Sequence, residues 1–126
     1  MSGKTNKITF EELFNSQLEN QNILIAKGSY NGFASKEPEN VPVDDPRLCS
    51  YHVQQLISEI GEVLEADKRW KNFRNSRFDK DAKLDEIADC FIVMMNVSMY
   101  SGFSGEEIAE AIKRKIDVVH ERVSNT

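Results

Sequence analysis

Leu48, Val53, Leu56, Ile57, Ile60, Val63 and Leu64 recur with a 3.6-residue period across some twenty positions. That spacing commits the middle of the chain to a helix with one broad apolar face. Asp45-Pro46 opens it as an N-cap followed by proline in the first turn, and Lys68, Arg69 and Lys71 gather where cations suit the end of the helix dipole. The predicted helix runs to about Trp70. Three further segments carry the same kind of signal. Thr9 and Glu12 form a capping box ahead of Phe10, Leu13, Phe14 and Leu24, a helix that lasts to about Lys27 before Gly28 stops it. Asn72 to Asp79 is a polar connection to a third helix over Asp81 to Tyr100, with Leu84, Ala88, Phe91, Met95 and Ser98 as its main stripe and Gly102 beyond its end. Ser104 and Glu107 are a second capping box, and Ile108, Ile112, Ile116, Val119 and Val123 share one face of the fourth helix. No stretch of four or more residues alternates convincingly, so strands are not expected. The expected fold is an all-α, four-helix bundle-like domain spanning residues 1–126.

A long segment, about 28–46, interrupts this pattern with Gly32, Pro38 and Pro42 and no period. Its length fits a lid or binding loop as well as it fits a simple tether.

Composition narrows the function classes. With 16 Lys and Arg against 21 Asp and Glu, the net charge of −5 argues against a nucleic-acid polymer as partner. An anionic small substrate stays possible, because a bound divalent metal reverses the local field. The longest apolar run, Cys90 to Met95, is far short of the ~20 residues of a membrane span. The polar start gives no signal-peptide core, so the expectation is a cytoplasmic protein with no membrane partner. Cys49 and Cys90 have neither metal-binding nor redox spacing, and neither has a recognisable base motif beside it.

Two acidic pairs carry the chemistry. Glu59-Ile60-Gly61-Glu62 lies in the second helix and Glu86-Ile87-Ala88-Asp89 in the third. An i, i+3 spacing puts both carboxylates of a pair on one side of its helix, near enough to share a cation. Hard cations such as Mg²⁺ take oxygen ligands and keep positions for water and phosphate. Ordinary helix acids instead face solvent or pair with Lys and Arg. Glu86 and Asp89, however, lie opposite the main stripe of their helix, on a side that continues through Cys90, Val93, Val97 and Tyr100. The third helix is therefore expected to be buried on two sides, with these acids at the edge of an internal or intersubunit surface. Gly61 costs about 1 kcal/mol of helix propensity and suggests a close backbone approach there.

Leu56-Ile57-Ser58-Glu59-Ile60-Gly61-Glu62-Val63 and Leu84-Asp85-Glu86-Ile87-Ala88-Asp89-Cys90-Phe91 together resemble the paired acidic motifs of the all-α NTP pyrophosphatases, the superfamily of MazG-like, dCTP-pyrophosphatase-like and dimeric dUTPase-like enzymes. The resemblance extends from about Leu48 to Val123, and the Phe10 to Ile25 helix is similar to the first helix of dUTPase-like members. It implies a MazG-type fold with helices packed across an oligomer interface, as a homodimer or homotetramer. It implies a Mg²⁺-dependent enzyme, with Mn²⁺ as a substitute, that hydrolyses a nucleoside triphosphate such as dUTP, dCTP or a modified nucleotide to the monophosphate and pyrophosphate. Glu59, Glu62, Glu86 and Asp89 would be the metal ligands and catalytic acids.

Other positions carry two readings each. Trp70 stacks on a nucleobase or caps the core; Phe73 follows it near where relatives place aromatics. Lys115 and Arg122 resemble a basic phosphate motif of dUTPase-like members, with Ile116 and Val119 where that motif has asparagines; their alternative role is to face the C-terminal dipole. Asn96 reaches a sugar or base, or is a packing amide. His52 and His120 read as structural or exposed, and Lys71, Arg74 and Arg77 either guide a polyphosphate or form a solvated basic end. The competing classes are a catalytically silent helical interaction module and, on Asp117-x-x-His120 alone, a carboxylate-bridged di-iron bundle.

Overall fold

The computed structural model describes residues 7–71 and 78–126. Four helices follow one another: α1 (Phe10–Ala26), α2 (Pro46–Ala66), α3 (Lys80–Met99) and α4 (Gly105–Ser124). Among the described residues there is no strand, only an isolated bridge between Asp44 and Ser101. The all-α expectation holds. No helix among them is long and apolar enough to cross a membrane.

Local chemistry sets the helix ends. The Asp45 carboxylate accepts from the Leu48 amide ahead of Pro46 in the first turn of α2, and Ser104 and Glu107 complete both halves of their capping box on α4. At α1 only half of the expected box forms: Thr9 Oγ1 accepts from the Glu12 amide. Gly28, at φ 78°, takes the left-handed conformation that closes α1. The second helix is shorter than expected. It ends at Ala66 because Asp67 turns extended and caps a separate 3₁₀ turn, Lys68–Trp70. Asp67 accepts two hydrogen bonds from the Arg69 guanidinium and one from Lys83 Nζ, each 2.8 Å, and the guanidinium lies 3.4 Å over the Phe78 ring. These contacts to Arg69 and Lys83 hold the Asp67 carboxyl far below the usual carboxylate range.

α2 and α3 make the most extensive helix contact, and α1 packs on α3 and on the start of α4. The α2–α3 pair is antiparallel: Cys49 lies against Val97 and Ser101 at one end, and Asp67 against Lys83 at the other. The core sits at the first of these ends. Phe14, Leu48, Met99 and Tyr100 are its fully buried members, joined by Tyr30, Val41 and Met95. The Phe14 ring lies so close to Gly105 that a Cβ there would approach it to 3.0 Å. A side chain at the first position of α4 would require the Phe14 ring to give by a few tenths of an ångström, so glycine there lets the helix seat closely on α1.

The sidedness of α3 differs from the expectation. Leu84 and Phe91, placed on the main stripe, are 60% and 65% exposed, and only Met95 of that stripe is buried. The side carrying Cys90, Val93 and Val97 is instead half-buried along α2. Its short and β-branched side chains allow the two helix axes to approach, which the bulkier stripe would not.

Segment 28–46 is fastened at several points to the helices that flank it. Tyr30 is buried and donates to Gln21 Oε1 at 2.6 Å, and Tyr100 donates to the same oxygen at 2.8 Å. Ser35 gives its amide and hydroxyl to Asp45, Val41 gives its amide to Asn22, and Val43 and Asp45 donate to the Met99 and Tyr100 carbonyls. Burial would raise the Asp45 carboxyl, but the Leu48 and Ser35 donors outweigh it and hold it low.

His52 belongs to the same network, stacked on Tyr100 with ring centroids 5.1 Å apart and 4% exposed. Burial pushes its imidazole down from 6.5 to about 4. The unfolded chain therefore takes up this proton first as pH falls. Stability from neutral His52 is complete above about 6.5 and is lost as the pH drops toward 4, by up to about 3 kcal/mol. Thermal melts between those pH values should show this slope in the wild type, and a His52→Gln variant should flatten it.

Candidate metal centre

The antiparallel pairing of α2 and α3 brings Glu59 of the first acidic motif against both acids of the second. Glu59, Glu86 and Asp89 each offer a carboxylate oxygen, and these oxygens lie within 4.8 Å of one another. Glu59 and Glu86 are half-buried and Asp89 is exposed. Among the described residues none of the three has an ion-pair partner. Partial burial and then the charges of Asp89, Glu62 and Glu59 raise the Glu86 carboxyl above its ordinary value. Glu62 is exposed and stands outside the close trio, although its charge is felt at Glu86.

Three crowded oxygen donors with no cation among them are the donor set that a hard divalent ion takes. Cys90 adjoins them, and burial and the neighbouring carboxylates push its thiol up, which disfavours the thiolate. Gly61 sits one residue from Glu62, and within this chain a Cβ there would meet nothing within 4 Å. The close approach expected at Gly61 is therefore not made by any described residue of the chain.

The remaining candidates fall in different places. Asn96 is buried, and its Oδ1 accepts from Gln17 Nε2 at 3.0 Å, while Gln17 Oε1 accepts from Asn20 Nδ2 at 3.2 Å. Trp70 is 58% exposed with its indole nitrogen donating to the Leu64 carbonyl, so it does not cap the core. Lys115 and Arg122 are exposed on α4, beyond the turns that touch α1. Asp117 is paired with Lys113 and His120 is exposed, so Asp117-x-x-His120 forms no metal cluster with other described residues. Phe73, Arg74 and Arg77 lie outside the described residues, and Lys71 is half-buried after the 3₁₀ turn.

A cleft of about 440 Å³ opens between α1 and α3, walled by Leu13, Ala88, Phe91 and Ile92 and edged by the amides of Gln17 and Asn20. On α3, Ala88 precedes and Ile92 follows Asp89 in the chain, so the cleft and the acidic trio draw on the same stretch of that helix. Polar residues in a helix read as solvated. The available signal was that Gln17 and Asn20 share a face with Leu13. No family model, curated protein or solved structure matches the chain.

Proposed function

We propose that the chain is a Mg²⁺-dependent nucleoside triphosphate pyrophosphohydrolase, acting as a homodimer or homotetramer on a deoxynucleotide such as dUTP or dCTP or on a modified nucleotide. The observation that carries this reading is the convergence of Glu59, Glu86 and Asp89 from two helices onto one point. With Glu62 close by, they would hold the ion. An ion held by these carboxylates would supply charge neutralisation for a triphosphate and an acidified water. The protein's own part is to fix the carboxylates in advance and to seat the nucleotide. The α1–α3 cleft offers apolar walls for a planar base and the Gln17 and Asn20 amides for its polar edge, with Asn96 holding Gln17 in place. Trp70, Lys115 and Arg122 are kept as candidate base and phosphate contacts on the strength of the motif resemblance.

Metal linkage tests the reading apart from turnover. An ion that binds only the folded chain raises its stability by about 2.7 kcal/mol at a hundredfold excess over Kd. Millimolar Mn²⁺ or Mg²⁺ should raise the melting temperature of the wild type and leave Glu86→Gln unmoved. An unresponsive wild type would favour a silent helical interaction module.

A further inference from the structure

The acids of α3 share their side of the helix with one lysine. Lys83, Glu86, Cys90, Val93 and Val97 follow a 3-4-3-4 spacing, and all five are half-buried on the side that meets α2. Lys83 therefore stands one helical turn before Glu86, about 4.5 Å nearer the start of α3 along its axis. Its ammonium is not drawn to the acids. Nζ donates to Asp67 Oδ2 at 2.8 Å and has no other hydrogen-bond or ion-pair partner among the described residues. The same carboxylate already accepts two hydrogen bonds from the Arg69 guanidinium, which lies over the Phe78 ring. Lys83 thus brings a second cation to one anion. Its side chain is 34% exposed, and two of its three N–H donors are unfilled.

A surplus cation held one turn from three carboxylates that have no ion-pair partner is a complementary pair of sites. It suits an anion with some oxygens on a divalent ion and others on an ammonium. We propose that Lys83 binds the terminal phosphate of the substrate, that Asp67 positions it, and that this contact selects triphosphates over diphosphates. The proposal rests on the pyrophosphohydrolase reading and adds a specificity residue to it. Residue order along α3 supplies the direction. Lys83 precedes the acids, whereas Ile92 and Met95 of the α1–α3 cleft follow them. A nucleotide with its base in that cleft and its phosphates on the ion has its free end toward Lys83. Lys83 and Asp89 are about 9 Å apart along the helix axis, a separation that three linked phosphates span and a single phosphate does not.

The test uses the full chain with inorganic tripolyphosphate as a base-free probe and pyrophosphate beside it, by calorimetry in the presence of Mg²⁺. Lys83→Met should weaken tripolyphosphate about tenfold or more and pyrophosphate less than about threefold, the loss expected for one charge-assisted hydrogen bond. Lys83→Arg should restore most of that loss. Asp67→Asn keeps the ammonium but not its aim and should fall between the two. Lys80→Met, at an exposed lysine of the same helix, should change neither affinity. Turnover gives a second readout: the ratio of kcat/KM for a nucleoside triphosphate over its diphosphate should fall in Lys83→Met by the same factor. A lysine that only ties α3 to α2 would lower the melting temperature and leave this ratio alone. Unchanged tripolyphosphate affinity, or an unchanged ratio, in Lys83→Met would overturn the proposal and leave the metal centre standing. A wild type that binds tripolyphosphate no better with Mg²⁺ than without it would overturn the underlying reading and the proposal together.

Discussion

Glu86→Gln should lower turnover about a thousandfold or more without loss of helical content. Glu86 shares one small volume with Glu59 and Asp89, and replacing it removes one of the three clustered carboxylates. In the proposed reaction a correctly held ion would supply several kcal/mol of charge stabilisation, and about 4 kcal/mol corresponds to a factor of a thousand. The fold should not suffer. The variant relieves repulsion that the metal-free chain carries at Glu86, so its melting temperature without metal should equal or exceed that of the wild type. Asp85→Asn is the matched control. Its charge acts on Glu86 from outside the trio, and it should cost no more than a few-fold. Steady-state kinetics on both variants, with circular dichroism, separate a lost ligand from a lost fold. A Glu86→Gln enzyme retaining a tenth of wild-type activity would remove Glu86 from the metal centre.

Phe14→Ala should be the most damaging single truncation in the core, costing about 3–5 kcal/mol. Phe14 is fully buried, tilts against Phe10 at 6.0 Å between ring centroids, and fills the space that Gly105 leaves open. Its loss opens a cavity where α1 meets the start of α4. Phe33→Ala, by contrast, removes a ring that is 55% exposed and should cost less than about 1 kcal/mol. Chemical denaturation of the two variants should separate them by several kcal/mol; equal costs would mean that the α1–α4 seat is not where the core's stability resides.

The parts of this molecule that were legible in the sequence are those set by short-range chemistry. Asp45-Pro46 and the Ser104–Glu107 box mark where α2 and α4 begin because a cap needs only three or four neighbouring residues. Of the four acids that the sequence pairs, Glu59, Glu86 and Asp89 come together because i, i+3 spacing and antiparallel pairing align the two motifs, whereas Glu62 stands outside the close cluster. What required the structure is tertiary in origin. α2 stops at Asp67 because Lys83, sixteen residues away, helps hold that carboxylate. α3 turns Cys90, Val93 and Val97 toward α2 rather than the larger Leu84 and Phe91, a choice governed by how closely two axes can approach. The strap over 28–46 has no period to read, since its fastenings are single hydrogen bonds from Tyr30, Ser35 and Val41 to residues on other elements. Gln17 and Asn20 gain meaning only when Ala88 and Ile92 stand opposite them.

The most direct test of the central claim is product analysis by anion-exchange chromatography. The purified chain would be incubated with each common dNTP and NTP, with and without Mg²⁺, beside Glu86→Gln. Monophosphate and pyrophosphate in equal amounts, formed only with metal and lost in the variant, are the predicted result. Diphosphate and inorganic phosphate as products, or turnover that persists without metal or in Glu86→Gln, would contradict it.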